Sequence, residues 1–124
     1  MAENPNVREA LAVLDRFTIA FNGQNAAAMD ETLHFPHFFP GPKSVVWDKP
    51  GSLSAEFFPT LVASGWAFSR YTRRDVMLAS TERVHFLVEY DRCRTDGSVI
   101  SRQAAVWIVT CIAGRWGIQV RSNT

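Results

Sequence analysis

Cysteine is scarce in this chain, with two among 124 residues, at Cys93 and Cys111. Both fall in separate predicted strands and no secretory leader precedes them, so they read as reduced structural thiols rather than a disulfide framework. They also lie far from His34 and His37, so no metal-ligand spacing emerges, and no metal or cofactor is implied. Charge of one sign is missing too. Thirteen Lys and Arg against twelve Asp and Glu leave a formal charge of +1, which supplies no field for nucleic acid or an anionic membrane. The nearest basic cluster, Arg70, Arg73 and Arg74, is interrupted by Tyr71 and followed by Asp75, and reads as a solvated strand edge or turn. No apolar run approaches the ~20 residues of a spanning helix, and the start Met-Ala-Glu-Asn-Pro is polar. The expectation is a cytoplasmic protein without membrane or nucleic-acid partners.

What is present is enough apolar residue, 47% of the chain, for one domain with one core over 1–124. Asn4-Pro5 or Asn6, with Glu9 after it, supplies a helix start. Val7, Leu11, Leu14, Thr18 and Phe21 then recur at helical spacing, widened by Ala10 and Phe17, and the helix ends near Asn22-Gly23. Asn25 caps a short second helix running to Leu33, which Pro36 stops. His34 to Pro42 holds three prolines and three phenylalanines and reads as an ordered, buried connection. A short strand from Ser44 to Trp47, a turn at Asp48-Lys49-Pro50-Gly51 and a third helix with Phe57, Phe58, Leu61 and Val62 follow. Pro59 fits that helix in its first turn or at a kink.

Beyond Gly65 the period becomes alternating, with strands expected at Trp66 to Tyr71, Asp75 to Ser80, Glu82 to Arg94, Ser98 to Ile112 and Arg115 to Arg121. Helices first and strands last predict an α+β fold, N-terminal helices packed on a curved antiparallel sheet. Asp96-Gly97 and Ala113-Gly114 are hairpin signals of either two residues or three with a bulge. Two-residue turns put Val84, Phe86, Val88 and Tyr90 on one face with Val109, Trp107, Ala105 and Gln103. Bulged turns flip the middle strand to Ile108, Val106, Ala104 and Arg102. In both registers Trp116, Ile118 and Val120 share the face of Phe86, and His85, Glu89, Asp91, Arg115, Gln119 and Arg121 point the other way. The middle strand is apolar on both sides from Ala104 to Ile112, a pattern that a homodimer packed through the convex sheet face explains.

A helix with a central aromatic, two shorter helices and a sheet ending in Gly-Arg-Trp-Gly-Ile-Gln-Val-Arg-Ser together resemble the nuclear transport factor 2-like superfamily. Asp91-Arg92, Asp96-Gly97 and Gly114-Arg115-Trp116 through Arg121-Ser122 carry the likeness locally. The resemblance implies a cone-shaped pocket, and covers ketosteroid isomerases, polyketide cyclases, dehydratases, epoxide hydrolases and many pocket proteins without known activity, frequently dimeric. The ketosteroid isomerase-like members use a helix-one tyrosine and an aspartate before a proline. Aligning on Arg16-Phe17 and on Pro42 puts Phe17 and Gly41 there, so that isomerisation lacks its oxyanion donor and its base.

His34 and His37, three apart, serve as a catalytic pair only if both point one way; the alternative is a structural loop in which they bond to the chain. Asp30 could orient His34. Tyr90, opposite Arg102 in the bulged register, could bind an acid or enolate oxygen at the pocket mouth. Phe17, Trp47, Phe58, Phe86 and Trp116 form the expected apolar wall. The implied function is a small-molecule-binding domain for a small hydrophobic ligand, with lyase, isomerase or hydrolase chemistry on a carbonyl or cyclic compound. The alternative is a non-catalytic dimerisation or ligand-sensing module.

Overall fold

The computed structural model describes residues 4–124; the polar start, Met1 to Glu3, lies outside them. Helix α1 spans Pro5–Asn22, opened by an Asn4 side chain that accepts from the Asn6 amide, with Pro5 at the first position. Its buried stripe is Ala10, Val13, Leu14, Phe17, Ala20 and Phe21, the face that helical spacing demands of an amphipathic segment. Helix α2 is shorter than expected, Ala26–Asp30, capped by Asn25. Helix α3 spans Phe57–Ala63 and takes Pro59 in its first turn, where the missing amide costs nothing.

Six strands follow the order β2-β1-β6-β5-β4-β3. They are β1 Leu33–Phe39, β2 Val45–Trp47, β3 Phe68–Ala79, β4 Arg83–Cys93, β5 Val99–Ile112 and β6 Arg115–Asn123. Every pairing is antiparallel except β1 with β6. Helix α1 lies against β3, β6, β4 and β5, and the core between them includes Leu14, Phe86, Val88, Val109 and Ile118, with Phe58 and Trp66 under α3.

Three expectations are corrected. The proline-rich segment from His34 is a strand, not a connection: Pro36 sits where the β1–β6 register breaks between Leu33 and Phe38, a place in a sheet that tolerates a residue without an amide hydrogen. The strands expected at Trp66 to Tyr71 and Asp75 to Ser80 are one strand, β3, irregular at Tyr71/Arg73 and at Val76/Leu78. Strand β6 changes face part-way. Its pairing runs Val109↔Ile118 and then Ile108↔Val120, so Gln119 is an extra residue, and a bulge of one residue reverses every side chain after it. Ile118 therefore faces the core, whereas Val120 turns outward and Arg121 inward.

The β4–β5 register is the one expected of a two-residue turn, with Phe86 opposite Trp107 and Tyr90 opposite Gln103. It is reached differently: Arg94 and Ser98 bracket a three-residue turn, and a register shift between Arg92 and Cys93 compensates it. Trp107 consequently faces inward and Arg102 outward.

Candidate functional site

Between α1, α2, α3 and the concave face of the sheet lies a cavity of about 160 Å3, comparable to the ~150 Å3 engineered cavity that accepts benzene. Its walls are mostly aromatic, with Phe17 and Phe21 from α1, Phe39 and Trp47 from β1 and β2, and Tyr90 and Trp107 from β4 and β5. These rings brace one another edge to face: Phe17 meets Trp107 with centroids 5.5 Å apart and Phe39 meets Trp47 at 4.8 Å, favourable geometries for ring quadrupoles. Trp107 is further fixed by its indole N–H, which donates to Asn123 Oδ1 at 2.9 Å.

The polar lining combines Thr18, Ser69 and Asn123 with tyrosine and arginine donors. Tyr71 donates its hydroxyl to the Leu14 carbonyl at 3.0 Å, and burial pushes its phenol above the ordinary value. Tyr90 lines the cavity, and its hydroxyl has no hydrogen-bond partner among the described residues. Arg92 and Arg121 enter from β4 and β6, and Arg92 Nε and Arg121 Nη2 are buried without a hydrogen-bond partner among the described residues. Arg70 completes the basic lining but turns toward Asp91, 3.8 Å away on the other face. No carboxylate lines the cavity among the described residues.

Arg121 is the centre of this arrangement. It is 6% exposed, and its guanidinium carbon lies 4.8 Å from the centroids of Phe17 and Phe39, 5.5 Å from Trp47 and 6.0 Å from Trp107. Burial lowers its pKa to about 10, so the group is cationic at neutral pH, and ring faces take up part of the stabilisation that water would supply. Its Nε donates to His37 Nε2 at 3.0 Å. His37 Nδ1 lies 2.9 Å from the Ile118 carbonyl, and a carbonyl can only accept, so the proton is on Nδ1 and Nε2 is the acceptor. Burial first, and the Arg121 charge second, hold His37 down to about 3. It is a neutral ring with both nitrogens occupied.

His34 is occupied in the same way on the outer face. Its Nε2 lies 2.8 Å from the Arg115 carbonyl and 3.1 Å from the Thr110 carbonyl, and its Nδ1 accepts from Arg115 Nη2 at 2.8 Å. Burial lowers its pKa as well. Three residues apart would be one face of a helix, but in strand β1 the spacing sends the two rings to opposite faces. In this structure both ring nitrogens of each histidine are engaged by the chain, His34 on the outer face and His37 beside the cavity. Asp30 does not orient His34; its carboxylate accepts from the Gly51 amide at 3.0 Å.

Of the expected ligand-facing groups, Phe17, Trp47 and Tyr90 line the cavity. Phe86 and Phe58 are core beneath it, and Trp116 packs half-buried against the core away from the lining. Of the two registers left open for Arg102, the structure has the outward one: it lies on the outer face, donating through Nε to Asp91 Oδ1 at 2.8 Å. Sequence reasoning missed Arg121, Arg92 and Tyr71. Arg92 shares the parity of Tyr90 in β4 and was legible, whereas the bulge at Gln119 that turns Arg121 inward has no local signature.

No family model matches the chain, and no curated protein matches it. Solved structures do. A protein of unknown function with a cystatin-like fold from Nostoc punctiforme superposes with a TM-score of 0.76 over 99% of this chain and 93% of its own, at 12% identity. A nuclear transport factor 2-like protein from Novosphingobium aromaticivorans gives 0.74 over 95% and 80%, at 14% identity. The chain has the nuclear transport factor 2-like fold. A candidate ketosteroid isomerase from Shewanella frigidimarina shares it, with a TM-score of 0.72 over 94% of each chain at 15% identity. At these identities the likeness describes the nuclear transport factor 2-like architecture, and function has to be argued from the cavity.

Proposed function

We propose that this protein is a small-molecule-binding domain whose cavity takes a compact aromatic or cyclic compound bearing a carbonyl-type oxygen. The observation that carries the reading is the cavity itself: about 160 Å3 walled by rings, with hydrogen-bond donors gathered on its β4 and β6 side. Preformed apolar cavities with a few convergent polar groups are where small ligands bind. The lining supplies donors, which suit a carbonyl or anionic oxygen. With both histidines bonded to the chain and no carboxylate in the lining among the described residues, the set suits binding or sensing better than proton transfer.

The test is a screen of single-ring compounds, read by melting temperature and by the fluorescence of Trp47 and Trp107. A ligand at about a hundred times its Kd adds about 2.7 kcal/mol of stability, which several degrees of Tm would register. Leu53→Trp, which fills the cavity from its wall, should abolish the shift while leaving the ligand-free protein folded. Screening to millimolar concentration without any response from the native protein would sink the reading.

A second copy of this chain is the other partner supported. Leu87, Val106, Ile108 and Val120 form a half-exposed apolar stripe across the outer face of β4, β5 and β6, more than a solvated face ordinarily carries. Light scattering should find a dimer that Ile108→Arg converts to a monomer; a native monomer at all concentrations refutes it.

A further inference from the structure

Resting on the pocket reading above, we propose that the ligand is a one-ring carboxylate whose carboxyl group is taken by the terminal nitrogens of Arg121, with His37 as the residue that positions the guanidinium. The argument starts from an incomplete group. A guanidinium carries five N–H donors in a fixed plane, and buried charge is ordinarily paired. Arg121 is buried in the cavity wall, yet among the described residues its Nε alone has a protein acceptor, and that acceptor is a neutral imidazole. Nη2 has none among the described residues. The nearby acid, Asp30, acts on it only from a distance, its carboxylate being held by the Gly51 amide.

The rings make the missing partner's shape specific. Phe17, Phe39, Trp47 and Trp107 surround the guanidinium carbon at 4.8 to 6.0 Å, which excludes water from its faces and leaves its edge as the place for an acceptor. A planar two-oxygen acceptor matches that edge by two parallel hydrogen bonds, as arginine and carboxylate do elsewhere. The same rings, with Tyr90, leave room for one ring beyond the carboxyl group in about 160 Å3. Arg92, whose buried Nε is also unpartnered, adds a second positive group to the lining. His37 sets the direction: the Ile118 carbonyl fixes its proton on Nδ1, so Nε2 accepts from Arg121 Nε and fixes that edge of the guanidinium, leaving the terminal nitrogens for the ligand.

Benzoate, benzamide and acetate separate the possibilities in titrations of the native protein followed by tryptophan fluorescence and calorimetry. Benzoate should bind at least tenfold more tightly than benzamide, which has the ring without the charge, and about a hundredfold more tightly than acetate, which has the charge without the ring. Arg121→Met should weaken benzoate by a hundredfold or more and leave benzamide within about threefold. Arg121→Lys, with the charge but no fork, should recover only part of the loss. His37→Gln should weaken benzoate about tenfold without moving benzamide, a split that general loosening of the fold would not produce. Equal affinity for benzoate and benzamide overturns the carboxylate and leaves the cavity reading standing. Equal affinity for benzoate and acetate overturns the ring. Failure of every one-ring compound to bind native protein with an unchanged melting temperature overturns both readings together. The native-protein comparison decides the matter even where a variant does not fold.

Discussion

Strands β1 and β6 carry the same device twice, and the two copies end differently. At the outer face Arg115 donates to His34; at the cavity Arg121 donates to His37. Each histidine passes its own proton to a backbone carbonyl of β6, and the tautomers are opposite, Nε2–H for His34 and Nδ1–H for His37. Arg115 spends its remaining reach inside the chain, donating to the Glu31 and Leu33 carbonyls at 3.1 and 3.0 Å. Arg121 finds four aromatic rings and no second acceptor among the described residues. A charge closed on its own backbone ties two strands together. A charge left open beside a cavity is what the proposed carboxylate ligand would complete.

The largest test of this contrast removes the inner histidine. His37 is fully buried, and His37→Ala leaves a cavity, a bare Ile118 carbonyl and an unheld Arg121 Nε, so urea denaturation should show a loss of about 3 kcal/mol or more. Gly117→Ala attacks the outer pair: its Cβ would meet His34 Cδ2 at 2.9 Å, and since three polar contacts hold that ring, a loss of about 2 kcal/mol is expected. Fluorescence-monitored unfolding that found no change would mean the outer pair is looser than its geometry. Acid comes next. His37 has its native pKa at about 3 against 6.5 unfolded, so the unfolded chain binds the proton first as pH falls. Stability is therefore full above pH 6.5 and declines toward pH 3 by about 1.4 kcal/mol per unit. His34, lowered in the same direction, steepens the slope, and His37→Gln should flatten it.

The smallest effects are the sharpest comparison. Arg115→Met should cost about 1 kcal/mol, because it strands His34 Nδ1 and two carbonyls near solvent. Arg121→Met should stay within about 1 kcal/mol of the native protein or exceed it, since exchanging an uncompensated buried charge for an apolar side chain of like length is often neutral or favourable. If Arg121→Met proves as destabilising as His37→Ala, the inner guanidinium is structural and the contrast collapses.

Much of the fold was legible because its signals are local. The capped α1, the Asn25 cap, Pro59 in a first turn and the alternation of β4 are short-range consequences of residue type. The β1 strand was not, since Pro36 within it and Pro40 and Pro42 after it imitate a loop, and pairing with β6 and β2 makes it a strand. Within the site, Phe17, Trp47 and Tyr90 were readable as apolar or amphipathic residues on inward faces. An acid- or enolate-binding arginine was also anticipated, but as Arg102, which instead holds Asp91 on the outer face.

Residue order and type alone thus determined an α+β layer and the inward run of Val84, Phe86, Val88 and Tyr90. Tertiary structure decided which arginine meets the cavity. Side-chain direction in a strand depends on parity, and parity past Gln119 depends on one unpaired residue whose placement is set by what β5 and β1 offer on either side. The tautomer of each histidine was decided there too, by a carbonyl from a strand some eighty positions away that accepts its proton.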